Sequence, residues 1–182
     1  MNNENKTLKW RFDVSTFRLI GRDLITDRVT ALFELIKNCY DANATVVTVE
    51  FDKVGTLNDD SIISISDNGI GMSFEDVRDK WMVIGTSSKR RNPLSPAPIC
   101  RRCVGEKGIG RFAVDKLGDQ LNILTKQIGD SSWLNVYIDW REYFNQLNDN
   151  TTGIRLFTEI ENSYNYIPSR EYQTSGTTLK IS

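Results

Sequence analysis

Hydrophobic positions along the chain change their spacing several times, and each change marks an expected element. Apolar residues about 3.6 residues apart predict a long helix over residues 27–42. β-Branched runs predict strands over residues 45–51 and 61–66, directly after this helix. A helix followed by extended runs indicates a domain that mixes both kinds of secondary structure.

The rest of the pattern predicts shorter elements. Further strands are expected over residues 8–14, 120–127, 132–140, 154–160 and 177–181, with a hairpin turn at Gly129-Asp130 between two of them. Shorter helices are expected over residues 73–82 and 109–116. This order of elements predicts an α/β fold, a two-layer α/β sandwich whose mixed, mostly antiparallel sheet carries helices on one face.

Local signals support the ends of the predicted helices. Thr26 or Asp27 is a plausible N-cap for the long helix, and Asn43 is expected to end it in the left-handed conformation. Ser73 with Asp76 three residues later predicts a capping box. The apolar stripe expected to form the packed side of the long helix consists of Val29, Leu32, Phe33, Ile36 and Tyr40.

Residues 85–110 interrupt the regular pattern. They contain Pro93, Pro96 and Pro98, which are three of the four prolines of the chain, and the stretch is rich in glycine. The segment is too long for a simple connection between elements, and we interpret it as a functional or mobile loop.

The composition of the chain excludes catalytic and metal sites that depend on histidine. The chain has 182 residues, a formal net charge of −1 and no histidine. The length fits one domain, and the absence of histidine excludes a Ser-His-Asp or Cys-His nucleophile pair and any imidazole metal site within it. Acid–base chemistry in this chain must therefore use carboxylate, lysine, tyrosine or cysteine side chains.

The cysteine count and the hydropathy pattern favour a cytoplasmic protein. The three cysteines are Cys39, Cys100 and Cys103, an odd number that does not suggest a disulfide framework. Cys100 and Cys103 form one CxxC pair, which is too few ligands for structural zinc, so its role stays open. The polar first ten residues do not resemble a signal peptide, and no stretch is apolar enough for a membrane span.

Three groups of polar residues are candidates for chemistry. Glu34, Asn38 and Asp41 share one face of the predicted long helix. This face is either a solvated surface or a hydrolytic site, because a glutamate can take a proton from water and an asparagine oxygen can bind Mg²⁺.

The other two groups are rich in glycine. Residues 67–72, DNGIGM, follow a predicted strand and read as a tight turn or as backbone that approaches a ligand closely. Residues 105–111, GEKGIGR, open a predicted helix and can present backbone N–H groups to phosphate. They lack the GK[ST] ending of a Walker A loop, and each group taken alone is a weak signal.

Taken together and in this order, the three motifs resemble the GHKL ATPase superfamily. That superfamily includes DNA gyrase, the ninety-kilodalton heat-shock chaperone, histidine kinases, MutL and MORC proteins. The resemblance extends over about residues 8–182. It implies a Bergerat fold, with ATP and Mg²⁺ as cofactors and residues 85–110 as the ATP lid.

The resemblance also implies roles for individual residues. Glu34 would be the general base, Asn38 the Mg²⁺ ligand and Asp67 the acceptor of the adenine amino group. Thr177 resembles the late threonine of the family, which joins the adenine–aspartate network. The residues expected to bind or surround the nucleotide are Asn38, Asp41, Asp67, Gly69, Gly71, Met72, Ser87, Ser88, Lys89, Gly105, Lys107, Gly108, Ile109, Gly110, Arg111 and Thr177.

Within the superfamily, the presence of Glu34 and the absence of a histidine acceptor favour ATP hydrolysis. The resemblance is stronger to the chaperone, MutL and MORC side than to the kinases. We therefore expect residues 1–182 to be a single ATP-binding domain at the N-terminal part of a longer protein. It would act as a nucleotide-driven switch with ATP-dependent homodimerisation, and would hydrolyse ATP slowly without a transducer domain or partner that supplies a lysine.

Two alternatives to hydrolysis stay open. The domain could transfer phosphate to a histidine on a separate protein, or could bind nucleotide as an interaction module without turnover. The basic residues between Lys89 and Arg111 are phosphate ligands, a solvated face or a nucleic-acid contact. This stretch has no interleaved aromatic residues, which makes nucleic acid the secondary interpretation.

Overall fold

The fold was analysed in a computed structural model, which describes residues 11–14, 16, 25–55, 61–84, 93–105, 110–144 and 156–182. Its longest helix is α1, Arg28–Asp41. Asp27 caps this helix by accepting a hydrogen bond of 2.8 Å from the Thr30 N–H. Asn43 follows with a φ of 64°, so both predicted ends of the helix are confirmed.

In the described part of the chain, six strands form a single sheet, and all five of their pairings are antiparallel. The strands are β1 (Val47–Asp52), β2 (Ile62–Asp67), β3 (Gln120–Lys126), β4 (Ser132–Asp139), β5 (Ser163–Pro168) and β6 (Gly176–Ile181). Their order across the sheet is β1-β2-β6-β3-β4-β5. The C-terminal strand β6 therefore lies in the interior of the sheet, between β2 and β3.

The remaining helical segments are short. Helix α2 covers Phe74–Asp76 and continues as a π-helical turn over Val77–Trp81. The predicted capping box between Ser73 and Asp76 is present. Other short segments are a 3₁₀ helix at Gly110–Lys116, helix α3 at Arg141–Phe144 and a 3₁₀ turn at Phe157–Glu159.

The core lies between one face of the sheet and the helices, as a two-layer α/β sandwich requires. Ile65, Leu179 and Ile123 are register partners on three adjacent strands, and all three are buried. Ala31, Leu35 and Cys39 of α1 belong to the same buried cluster. The opposite face is polar, with side-chain amides linked from Asn122 through Asn135 to Asn165. The predicted fold class is confirmed.

The apolar stripe predicted for the packed side of α1 was wrong in part, because only Leu32 of its members packs against the core. Val29 and Phe33 are exposed, and the buried side of the helix is instead formed by Ala31, Leu35 and Cys39. Apolar residues occur on both sides of this helix, so their spacing alone does not decide which side packs against the core.

The prediction of a strand over residues 154–160 was also wrong in its described part. Leu156 forms an isolated bridge to Asp13, and its N–H donates a 2.9 Å hydrogen bond to the Glu159 carboxylate, which closes a turn. The strand in this region is β5, an edge strand with the sequence SYNYIP whose residues are all exposed. Residues 11–14 likewise contain a single bridge rather than the expected strand over 8–14, of which residues 8–10 lie outside the described residues.

The corrected packing of α1 gives a stability test. Leu35 is 1% exposed and Phe33 is 58% exposed. Leu35→Ala should lower the free energy of unfolding by about 2–5 kcal/mol, because it leaves a cavity in the core. Phe33→Ala should change it by about 0.5 kcal/mol or less. Urea unfolding monitored by circular dichroism measures both, and equal losses would contradict the observed orientation of the helix.

Candidate functional site

The DNGIGM motif, residues 67–72, forms a tight bend at the end of β2. Asp67 is the last residue of this strand, and its Oδ1 accepts a hydrogen bond of 2.7 Å from the Gly69 N–H. The Asn68 side chain accepts hydrogen bonds of 2.9 Å from the N–H groups of Thr45 and Val46. The turn interpretation of this motif is therefore correct in local structure, and it leaves Asp67 at the edge of the core.

The two glycines of the motif allow close backbone contacts. A Cβ at Gly69 would lie 2.5 Å from the Ala42 carbonyl oxygen, at the end of α1. Gly71 has a φ of +68°, and a Cβ there would lie 1.9 Å from the Lys126 carbonyl oxygen. Neither position has room for a side chain. Residues 68–72, called the Asp67 loop below, are thus held between α1 and β3.

A hydroxyl pair connects this loop with the neighbouring strands. Thr177 is the register partner of both Asp67 on β2 and Thr125 on β3. The hydroxyl oxygens of Thr125 and Thr177 lie 2.9 Å apart. The fully buried Thr125 hydroxyl also accepts a hydrogen bond of 2.8 Å from the Met72 N–H and donates to the Gly176 carbonyl at 3.1 Å.

Thr125 was missed by the sequence analysis, although it is the central member of this network. A signal was available, because Thr125 is the polar member of the alternating positions Leu121, Ile123 and Thr125 that face the core. A hydroxyl on the buried side of a strand requires a polar partner. In this protein its partners are the Asp67 loop and Thr177.

The pKa of the Asp67 carboxyl is determined mainly by its partial burial. Loss of solvent raises the pKa of its carboxyl above the ordinary value of 3.8, against the opposing effect of the Gly69 N–H. The thiol of Cys39 lies beside it. Burial, with a further contribution from Asp67, raises the pKa of Cys39 to about 12, so this thiol stays protonated at neutral pH. The carboxyl of Asp67 is therefore partly withdrawn from solvent and lies beside a neutral thiol, which donates to the Leu35 carbonyl at 3.4 Å.

The polar face of α1 contains Glu34, Asn38 and Asp41, as the helical spacing predicted. Glu34 is partly exposed and forms an ion pair of 2.7 Å with Lys37. Asn38 is partly buried. Asp41 is buried, and its two carboxylate oxygens accept hydrogen bonds from the N–H groups of Val104 at 2.8 Å and Gly105 at 3.1 Å. This face thus contacts the start of residues 105–111, called the glycine-rich motif below, and is not freely solvated.

The segment before that motif is a small hairpin packed on the end of α1. Residues 94 and 102 form an isolated antiparallel bridge within it. The Asn43 side chain donates to the Pro96 carbonyl at 2.8 Å. The Arg101 guanidinium donates to the Ala44 carbonyl at 2.7 Å and lies 4.3 Å from the centre of the Tyr40 ring. Arg101 is therefore a structural contact, and the solvated-face interpretation of this residue is wrong.

The structure brings together the described parts of all three motifs. The end of α1 contacts the Asp67 loop through the hydrogen bond from the Ile70 N–H to the Ala42 carbonyl, 2.8 Å long. It contacts the glycine-rich motif through Asp41. Gly110 and Arg111 begin the 3₁₀ helix that packs against α1. The candidate residues outside the described part of the chain are Ser87, Ser88, Lys89, Lys107, Gly108 and Ile109.

The described part of the chain was searched for metal-binding clusters and contains free thiols. Within the described ranges, no group of three or more carboxylate and thiol side chains could hold a metal ion. An Mg²⁺ ion bound with a nucleotide needs only one or two protein oxygens, and the carboxamide of Asn38 fits that requirement. Cys100 and Cys103 are free thiols, and Cys100 is exposed.

A cavity of about 360 Å³ lies beside the hydroxyl network. Met72 and Thr125 line it at one end, and Leu134 and Tyr166 extend it across β4 and β5. Asp67 and the polar face of α1 are not among its lining residues, although Met72 and Thr125 belong to the hydroxyl network as well. Of the helices in the described ranges, none has the length and apolar character needed to cross a membrane.

Comparison with known proteins agrees with this geometry. Residues 26–174 match the family described as "Histidine kinase-, DNA gyrase B-, and HSP90-like ATPase". This match includes α1, the Asp67 loop and the glycine-rich motif. It ends two residues before β6 begins, at Gly176.

Three curated proteins are similar to parts of the chain. A protein of Herpetosiphon aurantiacus named as a type II restriction enzyme, HgiDII, is 32% identical over 103 residues, 57% of this chain and 15% of that protein. The DNA mismatch repair protein MutL of Ehrlichia chaffeensis is 24% identical over 153 residues, 84% of this chain and 21% of that protein. The chaperone protein HtpG of a Sulfurovum species is 29% identical over 87 residues, 46% of this chain and 13% of that protein. The matched regions are thus about a fifth or less of each relative.

The close contact at Gly71 gives a test of how the loop is held. Gly129 also has a positive φ, of +91°, but a Cβ there would meet nothing within 4 Å. Gly129→Ala should cost roughly 1–2 kcal/mol of stability, the ordinary cost of the left-handed conformation. Gly71→Ala should cost about 1–3 kcal/mol more, because the new methyl group must displace the Lys126 backbone. Urea unfolding of both variants measures the difference, and equal costs would contradict the contact.

Proposed function

This chain belongs to the histidine kinase-, DNA gyrase B- and HSP90-like ATPase family, and we propose on that basis that its Asp67 pocket binds the adenine of ATP. The single observation that carries the proposal is the row formed by Asp67, Thr177 and Thr125 on three adjacent strands. A desolvated carboxylate beside paired hydroxyls is a suitable acceptor for an exocyclic amino group. Gly69, Gly71 and Met72 would line the same pocket.

The proposed reaction is hydrolysis of ATP, with Glu34 as the general base. Its carboxylate is on α1, one helical turn from Asn38, and is exposed enough to meet a water molecule. Its ion-pair partner is Lys37. For Glu34 to accept a proton from water, this ion pair has to loosen when nucleotide binds.

Magnesium would be held at Asn38. A carboxamide oxygen is a hard ligand, and Mg²⁺ in nucleotide sites takes most of its other ligands from phosphate and water. The ion would neutralise phosphate charge and orient the triphosphate toward Glu34.

The ATP lid, about residues 85–110, is proposed to close over the nucleotide. Its glycine-rich end, with Gly105, Gly108 and Gly110, would cover the phosphates, and the backbone donors would be Gly108 and Gly110 because the Gly105 N–H is bonded to Asp41. The proposed phosphate ligands among the side chains are Lys89, Lys107 and Arg111, and the other proposed nucleotide-binding residues of this stretch are Ser87, Ser88 and Ile109. Support for this arrangement comes from Asp41, which ties the start of the glycine-rich motif to the helix that contains Glu34 and Asn38.

The cycle of binding and hydrolysis would act as a conformational switch. We propose that lid closure favours an ATP-dependent homodimer, and that further domains or a partner provide the lysine needed for fast turnover. Two of the relatives are named for work on DNA, as a restriction enzyme and a mismatch repair protein. A role of the complete protein on nucleic acid is therefore a further proposal, which DNA-stimulated turnover would support.

The adenine assignment predicts a selective loss of affinity. Asp67→Asn should weaken ATP binding by about 1–3 kcal/mol, the range for a hydrogen bond to a charged group. Asp52→Asn, at the exposed end of β1, is the matched control and should bind as the wild type does. Isothermal titration calorimetry measures all three proteins, and wild-type affinity in Asp67→Asn would refute the assignment.

The affinity for ATP should also depend on pH, through the protonation of Asp67. Because the pKa of Asp67 is raised, its carboxylate takes up a proton at a pH above the ordinary 3.8. ATP affinity should therefore be highest above the folded-state pKa and should fall as the pH decreases through it. Asp67→Asn should lack this dependence.

The assignment of Glu34 predicts a loss of turnover without a loss of binding. Glu34→Gln should reduce phosphate release by roughly 10²–10⁴-fold, the usual contribution of a general base, and should leave ATP affinity within a few-fold. Lys37→Met is the control for loss of the ion pair, and should retain turnover. If Glu34→Gln hydrolyses ATP at the wild-type rate, another group is the base.

A further inference from the structure

Lys126, at the end of β3, is a lysine with no solvent exposure. Its ammonium group donates to the Ser169 hydroxyl at 3.3 Å and to the Glu171 backbone carbonyl. It also lies 5.2 Å from the centre of the Trp133 ring. Among the described residues, no carboxylate forms an ion pair with it. A buried ammonium is costly unless its donors are satisfied, so these neutral contacts have to be maintained.

The contacts of Lys126 fix residues 169–175, which we call the clasp. The Thr174 hydroxyl donates to the same Glu171 carbonyl at 2.9 Å. On the outer side, the Gly129 N–H donates to the Tyr172 carbonyl at 2.9 Å. The ammonium group is thus the buried attachment point of a segment that connects β5 to β6.

The far end of the clasp reaches the Asp67 loop. The Ser175 hydroxyl donates a hydrogen bond of 2.7 Å to the Gly69 carbonyl. The next residue, Gly176, is so close to β2 that a Cβ there would lie 2.1 Å from the Asp67 carbonyl oxygen. Lys126 also contacts this loop directly, since its own carbonyl faces Gly71.

We propose that Lys126 is a positioning residue for the adenine pocket. Its side chain holds the clasp, and the clasp holds the Asp67 loop through Ser175, while the Lys126 backbone supports the same loop at Gly71. The loop is thereby kept in its binding conformation before nucleotide arrives, which lowers the cost of ordering it on binding. The consequence for ATP rests on the proposed function, whereas the support of the loop does not.

Hydrogen exchange in the absence of nucleotide tests the support itself. Lys126→Met keeps most of the side-chain volume and removes the ammonium group. We expect faster exchange at the N–H groups of Ile70 and Met72, whose acceptors are the Ala42 carbonyl and the Thr125 hydroxyl. The N–H of Ile123, in the middle of β3, should keep its protection, whereas general destabilisation would accelerate all three.

Lys180→Met is the matched control, because Lys180 is an exposed lysine on β6. It should leave the exchange of Ile70 and Met72 unchanged. If Lys126→Met leaves their exchange unchanged as well, the proposal is overturned. Should this variant fail to fold, Ser175→Ala alone carries the test, since it removes only the hydroxyl contact to Gly69 and must accelerate exchange at Ile70.

A double-mutant cycle tests the path from Lys126 to the pocket. Lys126→Met and Ser175→Ala should each weaken ATP binding by about fivefold or more. The double variant should lose much less than the product of the two factors, because both changes interrupt the same connection. Fully multiplicative losses would overturn the connection through Ser175. If the wild type does not bind ATP while the exchange results hold, the proposed function fails and the positioning role remains.

Discussion

The close approach of three backbone segments around Asp67 is the constraint on which the rest of the site depends. The Asp67 loop passes between the end of α1 and the end of β3, and Gly69 and Gly71 are the positions where it touches them. Gly176 makes the same kind of contact from β6. Because no side chain fits at these three points, backbone surrounds Asp67 closely and leaves it partly buried beside Thr177. The desolvation that raises its pKa is thus a result of backbone packing.

Helix α1 connects this constraint to the other end of the site. Its buried side, with Leu35 and Cys39, is part of the core, and its last turn contacts the Asp67 loop through Ala42. Asp41 holds the backbone of Val104 and Gly105. One helix therefore fixes the relative positions of a buried carboxyl, a polar face and a glycine-rich segment that are far apart in the sequence.

The sequence was sufficient where a local chemical signal determined the structure. Asp27, Asn43 and the Ser73–Asp76 capping box were predicted because their hydrogen bonds are formed within a few residues. The three motifs identified the family because their order and spacing are specific. The fold class followed from the alternation of helical and extended patterns together with that resemblance.

The sequence was insufficient where packing between distant parts of the chain decided the structure. Hydrophobicity alone did not identify the buried side of α1, because apolar side chains such as Phe33 also lie on its exposed side. Strand β5 gives little hydrophobic signal because it is an edge strand whose residues are all exposed. Thr125 and Lys126 are ordinary polar residues in the sequence, and their importance comes from partners that lie about 45–53 residues away.

The ion pair between Glu34 and Lys37 has a consequence for the polar face of α1. Both groups are partly exposed, so the pair is weak, easily screened by salt and open to competition. A change of ionic strength therefore alters the pairing of Glu34, whereas the carboxylate of Asp41, which accepts from two backbone N–H groups, keeps its contacts. One helix face thus combines a replaceable contact with a fixed one.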